Sequence, residues 1–283
     1  MASLYHYCTS ETLVSILTGK TIRLSSLTMS NDSQEGSIIL DVLLQMARES
    51  GLDQYTLARL ETQLRRAYDF FDGLGFCLSE DGDLLSQWRG YANDGRGASI
   101  GFDSDYLRQL SGKFRERNER GFTLNKLVYD RDGQQEIAAE HFAKIKALLE
   151  LGAFRSEIGT ILLPTSEGDK ERIKKATSDG TFAILSLMLR MFEIKSPAFA
   201  EEKEWRLVSF STKSGEESGT RFNAGVDKIV PYFEVKLEDL GIDSISSIVL
   251  GPKHQTPLHV VERLLLANGF KNAAVSRSAA TYR

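Results

Sequence analysis

The chain has 283 residues, of which 41% are hydrophobic and 26% are charged, and its formal net charge is −4. These proportions are typical of one large or two small soluble globular domains, and an average negative field does not attract nucleic acid. We expect a cytoplasmic protein without structural metal, because no membrane span or secretory signal is visible and only two cysteines and four scattered histidines occur.

Hydrophobic periodicity and turn signals predict the following elements in chain order. In the first half, strands are predicted at 4–7, 21–27, 74–79 and 97–103, and a further strand is predicted to end at 126–132. Helices are predicted at 10–19, 38–49 and 53–71, with a short helix or turn at 83–94. In the second half, helices are predicted at 134–151, 168–194 and 257–268, and strands at 204–211, 228–236, 245–250 and 273–277.

The order of these elements predicts an α+β fold. Strands lie toward both ends of the sequence, and helical blocks are inserted at about 36–71 and 134–194. Regular alternation of strand and helix, which is typical of a doubly wound sheet, does not occur. We therefore expect a single domain over residues 1–283, in which N-terminal and C-terminal strands share one sheet system.

The segment EEKEWRLVSF, residues 201–210, is the strongest candidate for chemistry. Glu202 and Glu204 are two residues apart in a predicted strand, where alternate side chains point to the same face. Two neighbouring carboxylates suit a reaction that develops positive charge, such as glycosidic cleavage through an oxocarbenium-like transition state. The alternative is a pair of solvated edge residues beside Lys203.

His6 lies in the middle of the first predicted strand, between Tyr5 and Tyr7. Its imidazole could hydrogen-bond a sugar hydroxyl through either ring nitrogen, and the alternative is a structural histidine. Thr9 and Ser10 follow, and they suit either the cap of the next helix or a ligand contact.

A polar and aromatic group follows the predicted strand 74–79. Within six positions it brings together Ser86, Gln87, Trp88, Arg89 and Tyr91. A guanidinium can bind a pyrophosphate and an aromatic face can stack on a ring, whereas the alternative is a buried tryptophan that holds a turn with a stacked arginine. The usual glycine-rich phosphate motifs are absent from the sequence.

The polar segment NDSQE, residues 31–35, is assigned a structural role. Asn31 and Asp32 are typical turn residues, and Glu35 suits the N-terminal charge of a helix.

Three motifs together resemble a widespread, largely uncharacterised bacterial family. Its members begin Tyr-His-Tyr-Thr-Ser, continue with Leu-Ser-x-Trp-Arg-x-Tyr, and later carry Phe-x-x-Glu-x-Glu-Trp-Arg. The matching segments here are 5–10, with Cys8 inserted, 85–91 and 199–206. The C-terminal segments 248–252 and 277–283 fit the same pattern.

The same motifs are similar to those of the ADP-ribosyltransferase superfamily, especially toxins that modify DNA. The resemblance implies a split-sheet core with helical insertions, NAD as substrate and no metal. The implied catalytic residues are Glu204 and Glu202. The implied cofactor-binding residues are His6, Tyr7, Thr9, Ser86, Trp88, Arg89 and Tyr91. Cys8 and the long insertions depart from the pattern of the superfamily.

The function implied by the resemblance is NAD-dependent transfer of ADP-ribose by a bacterial toxin or phage-defence effector. Its acceptor would be DNA, RNA, protein or water, and an antitoxin or another regulatory partner is possible. The alternative is a nucleotide-sensing or partner-binding module without turnover. A nuclease is disfavoured, because no set of metal-binding carboxylates is visible.

Overall fold

A computed structural model describes residues 2–30, 36–155, 166–213, 219–224 and 227–282. Its strands are β1 Ser3–Cys8, β2 Thr21–Ser26, β3 Phe71–Ser79, β4 Ala98–Asp103, β5 Thr123–Lys126, β6 Glu204–Thr212, β7 Thr220–Ala224, β8 Ile229–Lys236, β9 Ile245–Leu250 and β10 Ala274–Arg277. Its α-helices are α1 Ser10–Gly19, α2 Ile38–Glu49, α3 Gln54–Phe70, α4 Leu85–Tyr91, α5 Ser104–Glu116, α6 Arg131–Glu150, α7 Glu167–Met188 and α8 Leu258–Ala267. Two 3₁₀ helices, Met191–Glu193 and Pro197–Glu202, lead from α7 to β6.

The described strands form one large mixed sheet. Eight of them follow the order β10-β9-β4-β1-β3-β2-β8-β7, and β6 pairs with β3 and also with β5. The β10–β9 pair is parallel, and the other pairs are antiparallel. The sheet joins strands from both ends of the chain, as expected from the element order, and the architecture is α+β.

The sheet is split where β1 and β2 meet the same edge of β3. Tyr5 of β1 is paired with Ser79. Further along that edge, β2 pairs only with Gly75 and Leu74. Between these contacts, residues 76–78 have no strand partner on this edge within the described chain. The two parallel strands β1 and β2 therefore diverge and leave an opening beside β3.

Two hydrophobic cores lie on the sheet. The first core packs α1, α5 and α8 against β1, β2, β3, β4 and β9. The second core packs the buried faces of α2, α3, α6 and α7 together, and Val208 of β6 joins it. The two helical insertions thus form one layer, which covers the face of β6 opposite to Leu207 of the first core.

The structure corrects several predicted element boundaries. Residues 126–132 are not a strand, because β5 ends at Lys126 and Asp130 caps α6 by accepting from the Gly133 amide. The second long helix ends at Met188, and the segment up to 194 forms a 3₁₀ turn and an extended stretch instead. The helix α5 and the strand β7 have no counterpart among the predicted elements.

The pairing of Glu202 and Glu204 on one strand face is wrong. Glu202 belongs to the preceding 3₁₀ helix, and Lys203 has a left-handed backbone with φ of 45°, so β6 begins at Glu204. Strand alternation therefore does not bring the two carboxylates together. Both contact a third residue, Lys195, instead. The predicted turn residues Asn31, Asp32 and Glu35 lie outside the described residues.

None of the described helices combines the length and the apolar character that crossing a membrane requires.

Candidate functional site

A cavity of about 220 Å³ opens at the split between β1 and β2. Strands β1, β3 and β6, helix α4 and the segment between α7 and β6 contribute its walls. The lining includes His6, Tyr7, Cys77, Gln87, Tyr91, Lys195, Phe199, Glu202, Glu204 and Arg206. The first strand, the segment 85–91 and the segment 199–206 therefore meet in one concave site, although they lie far apart in the sequence.

The two glutamates are joined by a buried ionic cluster. The ammonium of Lys195 lies 2.5 Å from Glu202 Oε2 and 2.7 Å from Glu204 Oε2. Arg206 donates from Nε to Glu204 Oε1 at 2.6 Å and from Nη2 to Glu204 Oε2 at 3.2 Å. Both oxygens of Glu204 therefore accept charged hydrogen bonds, and the cluster holds two negative and two positive charges.

Strand geometry explains why Arg206 contacts Glu204. The two residues are two apart on β6, so both side chains point to the face that Val208 turns toward the helical layer. Arg206 is only 1% exposed, and charges at such a position require partners because desolvation is costly. On β3, Cys77 is the cross-strand neighbour of Arg206, which brings its thiol to the same face.

The surroundings separate the pKa values of the two carboxyls. Burial alone would raise the pKa of Glu204, but the charges and hydrogen bonds of Arg206 and Lys195 outweigh it, and the pKa lies well below its ordinary value. Burial raises the pKa of Glu202, and Lys195 offsets only part of that effect. Glu204 is thus a fixed anion, whereas Glu202 is the more basic carboxylate.

Glu202 also faces α4 across the cavity. The hydroxyl of Tyr91 points to Glu202 Oε1 at 3.4 Å, which is long for a hydrogen bond. Burial raises the pKa of Tyr91, and the charge of Glu202 raises it further, so the phenol keeps its proton at neutral pH. Tyr91 is 43% exposed, which leaves this hydroxyl accessible from the mouth of the cavity.

His6 sits in the opening of the sheet as a neutral imidazole. Its Nδ1 lies 2.9 Å from the carbonyl oxygen of Cys77, which can only accept, so Nδ1 carries the proton. Burial lowers the pKa of His6 to about 4, despite that hydrogen bond. The ring stacks on Phe76 at 3.9 Å. In the described structure Nε2 makes no hydrogen bond, so it presents an acceptor lone pair to a ligand.

Tyr7 lines the cavity but is fixed by the protein itself. Its hydroxyl donates to the carbonyl of Asp81 at 2.8 Å and accepts from the amide of Leu84 at 2.7 Å. This phenol therefore anchors the loop that leads into α4, and it supplies a wall of the site.

The other four expected ligand residues lie outside the lining of this cavity. Thr9 caps α1 by accepting from the amide of Thr12. Trp88 is fully buried and donates from Nε1 to Asp83 at 2.7 Å. Arg89 is exposed and its guanidinium lies 5.6 Å from the centre of the Tyr282 ring.

The fourth of these residues, Ser86, has a buried hydroxyl that makes no hydrogen bond within the described chain.

Sequence reasoning missed both cations of the site: Arg206 was not among the predicted residues, and neither was Lys195. Lys195 lies 4% exposed in an irregular segment, and Gln134 of α6 holds the carbonyl of the same residue at 3.1 Å. The signal available in the sequence was a lysine within a mostly apolar stretch, seven residues before Glu202. Because a buried cation needs an anionic partner, this position indicated a contact with a carboxylate.

No cluster of three or more His, Cys, Asp or Glu side chains suited to a metal ion occurs in the described part of the chain. The cavity contains two carboxylates, but Lys195 and Arg206 already occupy them.

One family model matches the chain, over residues 87–207, and its description is protein of unknown function (DUF2971). The matched segment begins in α4 and ends in β6, so it contains Tyr91, Lys195, Glu202, Glu204 and Arg206 of the cavity. This fits the expected uncharacterised family and says nothing for or against the ADP-ribosyltransferase relationship. No curated protein and no solved structure matches the chain. Residues 87–207 of the chain are therefore similar to the DUF2971 family.

Proposed function

We propose that the protein cleaves the glycosidic bond of NAD in the cavity beside β3 and transfers the ADP-ribose to an acceptor. The observation that carries this proposal is the convergence of His6, Tyr91, Glu202 and Glu204 on one cavity. These side chains supply a sugar-binding acceptor, a hydroxyl donor and two carboxylates with different proton affinities. The split of the sheet at β1 and β2 is compatible with the split-sheet core that the resemblance implies.

The two carboxylates take different roles because their surroundings differ. Glu204 stays ionised and fixed, so it stabilises the positive charge that develops on the ribose ring. Glu202 has a raised pKa and lies toward Tyr91, so it is suited to receive a proton from the acceptor. Pairs of acidic groups whose pKa values are driven apart are typical of acid–base sites.

In the proposed step, the bond between the nicotinamide nitrogen and ribose C1′ breaks, and its electron pair leaves with nicotinamide, which becomes neutral. A lone pair of the acceptor forms the new bond to C1′. The acceptor's proton passes to the carboxylate of Glu202. The Nε2 lone pair of His6 accepts a hydrogen bond from a ribose hydroxyl and holds the sugar in place.

The acceptor is whatever nucleophile reaches the mouth of the cavity: a nucleic acid, a protein or water. A toxin or phage-defence effector would modify a macromolecule of the cell, and a regulatory partner would then be needed to restrain it. Mass spectrometry of DNA, RNA and protein from cells after induction identifies the modified class by an added ADP-ribose.

Release of nicotinamide from NAD by the purified protein tests the proposal directly. Glu204→Gln should lower the rate by about 10²- to 10³-fold, the usual effect of removing one preorganised electrostatic group. Glu202→Gln should lower transfer by about 10²- to 10⁴-fold, the range for general base catalysis. Glu201→Gln is the matched control, because this exposed neighbour should leave the rate unchanged.

Each variant is also examined by thermal unfolding, since Glu204 holds Lys195 and Arg206. If Glu204→Gln fails to fold, Glu202→Gln still tests the chemistry. A folded wild-type protein that releases no nicotinamide with any class of acceptor would contradict the proposal, as would full activity of both variants.

A second candidate is a nucleotide-binding module without turnover. This candidate is favoured by the charges of the buried cluster, because the cations of Lys195 and Arg206 already neutralise the negative charge of Glu204. A site of this kind binds NAD and leaves it intact. Nicotinamide release and equilibrium binding, measured on the same preparation, separate the two candidates.

A further inference from the structure

A second and larger cavity adjoins the first at His6. Its volume is about 570 Å³, and it lies between α1, β2, β3 and β7. His6, Cys77 and Tyr91 line both cavities, so the two spaces meet at the split in the sheet. The larger cavity is polar, since hydroxyls come from Thr12, Ser15, Thr21 and Ser25.

Size decides how a dinucleotide would be distributed between the two. Pockets for small ligands usually enclose about 300–1,000 Å³. At about 220 Å³ the first cavity falls below this range and accommodates only a ring and a sugar. At about 570 Å³ the second cavity lies within the range, so the bulk of the ligand belongs there.

The larger cavity has one cation and one anion on its wall. Arg23 of β2 lies over the ring of Tyr232 at 4.9 Å, which supports its side chain without neutralising it. Glu234 of β8 lies opposite Arg23 on the neighbouring strand but forms its ion pair with Arg221, and no ion pair of Arg23 occurs among the residues that the structure describes. Glu11, in the first turn of α1, is the carboxylate of this cavity.

We propose that the larger cavity binds the adenosine diphosphate part of the ligand, with Arg23 as the phosphate-binding residue. A guanidinium that has no protein carboxylate as partner is suited to two neighbouring phosphate oxygens. Glu11 accepts from ribose hydroxyls, as an acidic residue does in other dinucleotide sites. This inference rests on the proposed function in one respect, which is that NAD is taken as the complete ligand.

Calorimetric binding of ADP and of ADP-ribose tests this assignment without any reaction. Arg23→Gln should weaken both ligands by about 10- to 100-fold, since hydrogen bonds to charged groups contribute that much. Binding of nicotinamide mononucleotide, which has one phosphate and no adenosine, should change less than binding of ADP-ribose. Arg221→Gln is the matched control, because this exposed arginine pairs with Glu234 across β7 and β8 and is not among the residues that line the larger cavity.

The assignment is overturned if wild-type protein does not bind ADP, or if Arg23→Gln and Arg221→Gln bind it equally well. Thermal unfolding of Arg23→Gln is measured first, and Arg23→Lys, which keeps the charge, should recover part of the affinity if folding is intact. A protein that binds ADP through Arg23 but releases no nicotinamide supports this inference and contradicts the proposed enzyme. Failure of one is thereby distinguished from failure of the other.

Discussion

At the scale of single residues, the cluster around Glu204 shows how buried charge can be kept in a fold. Arg206 and Lys195 are 1% and 4% exposed, and each contacts the same carboxylate. Ionic groups at this depth lose their hydration, so their mutual attraction offsets that loss only while every partner is present. The cluster is consequently sensitive to the removal of any one member.

Lys195→Met should destabilise the protein by about 3–5 kcal/mol, the usual cost of leaving a buried charge without its partner. The change keeps an unbranched side chain of similar length and removes the ammonium that Glu202 and Glu204 share. Unfolding in urea, followed by circular dichroism, measures the difference.

Lys170→Met is the control for this prediction, because Lys170 pairs with Glu167 on an exposed helix face. Surface pairs contribute about 0–1 kcal/mol, so its stability should hardly change. Equal effects of the two substitutions would mean that the cluster is hydrated and does not carry the proposed electrostatics.

Glu202 and Glu204 of this cluster were predicted from the sequence. Neither Arg206 nor Lys195 was, although the strand pattern was sufficient for Arg206. Alternation along β6 places Glu204 and Arg206 on one face, and this follows from the pattern alone. Lys195 comes from an irregular segment, and no periodicity specifies the path of such a segment. The left-handed turn at Lys203, which moves Glu202 off the strand, is likewise set by tertiary contacts.

At the scale of elements, two glycines of β3 allow neighbouring side chains to pack directly against the backbone of this strand. A side chain at Gly73 would lie 2.2 Å from the ring of Phe192, and one at Gly75 would lie 2.5 Å from Leu27. The ring of Phe192 packs against Gly73, so the 3₁₀ turn 191–193 lies close to the sheet. Lys195 follows this turn closely and is thereby placed at the cavity.

Gly73→Ala should therefore destabilise the protein by about 1–3 kcal/mol, because overpacking forces Phe192 to move. Gly112→Ala in α5 is the matched control: nothing lies within 4 Å of the added carbon. The control should be stabilised by roughly 0.5–1 kcal/mol, since alanine is the better helix former. Urea unfolding of both variants measures the contrast, and equal stabilities would contradict the packing of Phe192 on β3.

The elements show which patterns suffice for prediction. The amphipathic spacing of Leu13, Ile16 and Leu17 indicated α1, and these residues are buried. A helical spacing of apolar residues is also present at Tyr106, Leu107 and Leu110, so α5 could have been predicted behind its cap Asp103. The strand β7 has five residues and is exposed along most of its length, so its pairing with β8 could not be predicted from a buried apolar face.

At the scale of the whole molecule, the cavity depends on contacts between distant parts of the chain. Helix α4 carries Gln87 and Tyr91 to the cavity, and the segment 278–282 binds it from outside. Asp83 accepts from Trp88 Nε1 at 2.7 Å, from the amide of Ala279 at 2.7 Å, and from the hydroxyl of Ser278. This carboxylate therefore ties the C-terminal segment of the chain to the wall of the cavity.

Asp83→Ala should cost about 1–3 kcal/mol of stability, because it leaves the buried Nε1–H of Trp88 without an acceptor. It should also release α4 from the segment 278–282, and the fluorescence of Trp88 should then shift to longer wavelength as water reaches the indole. Asp243→Ala is the control, since Asp243 accepts only an exposed hydrogen bond from Asn272, and its effect should stay within about 0.5 kcal/mol. If the two variants unfold at the same urea concentration with unchanged emission, Asp83 does not hold this wall, and the position of Tyr91 must be set by the contact between Tyr7 and Trp88 instead.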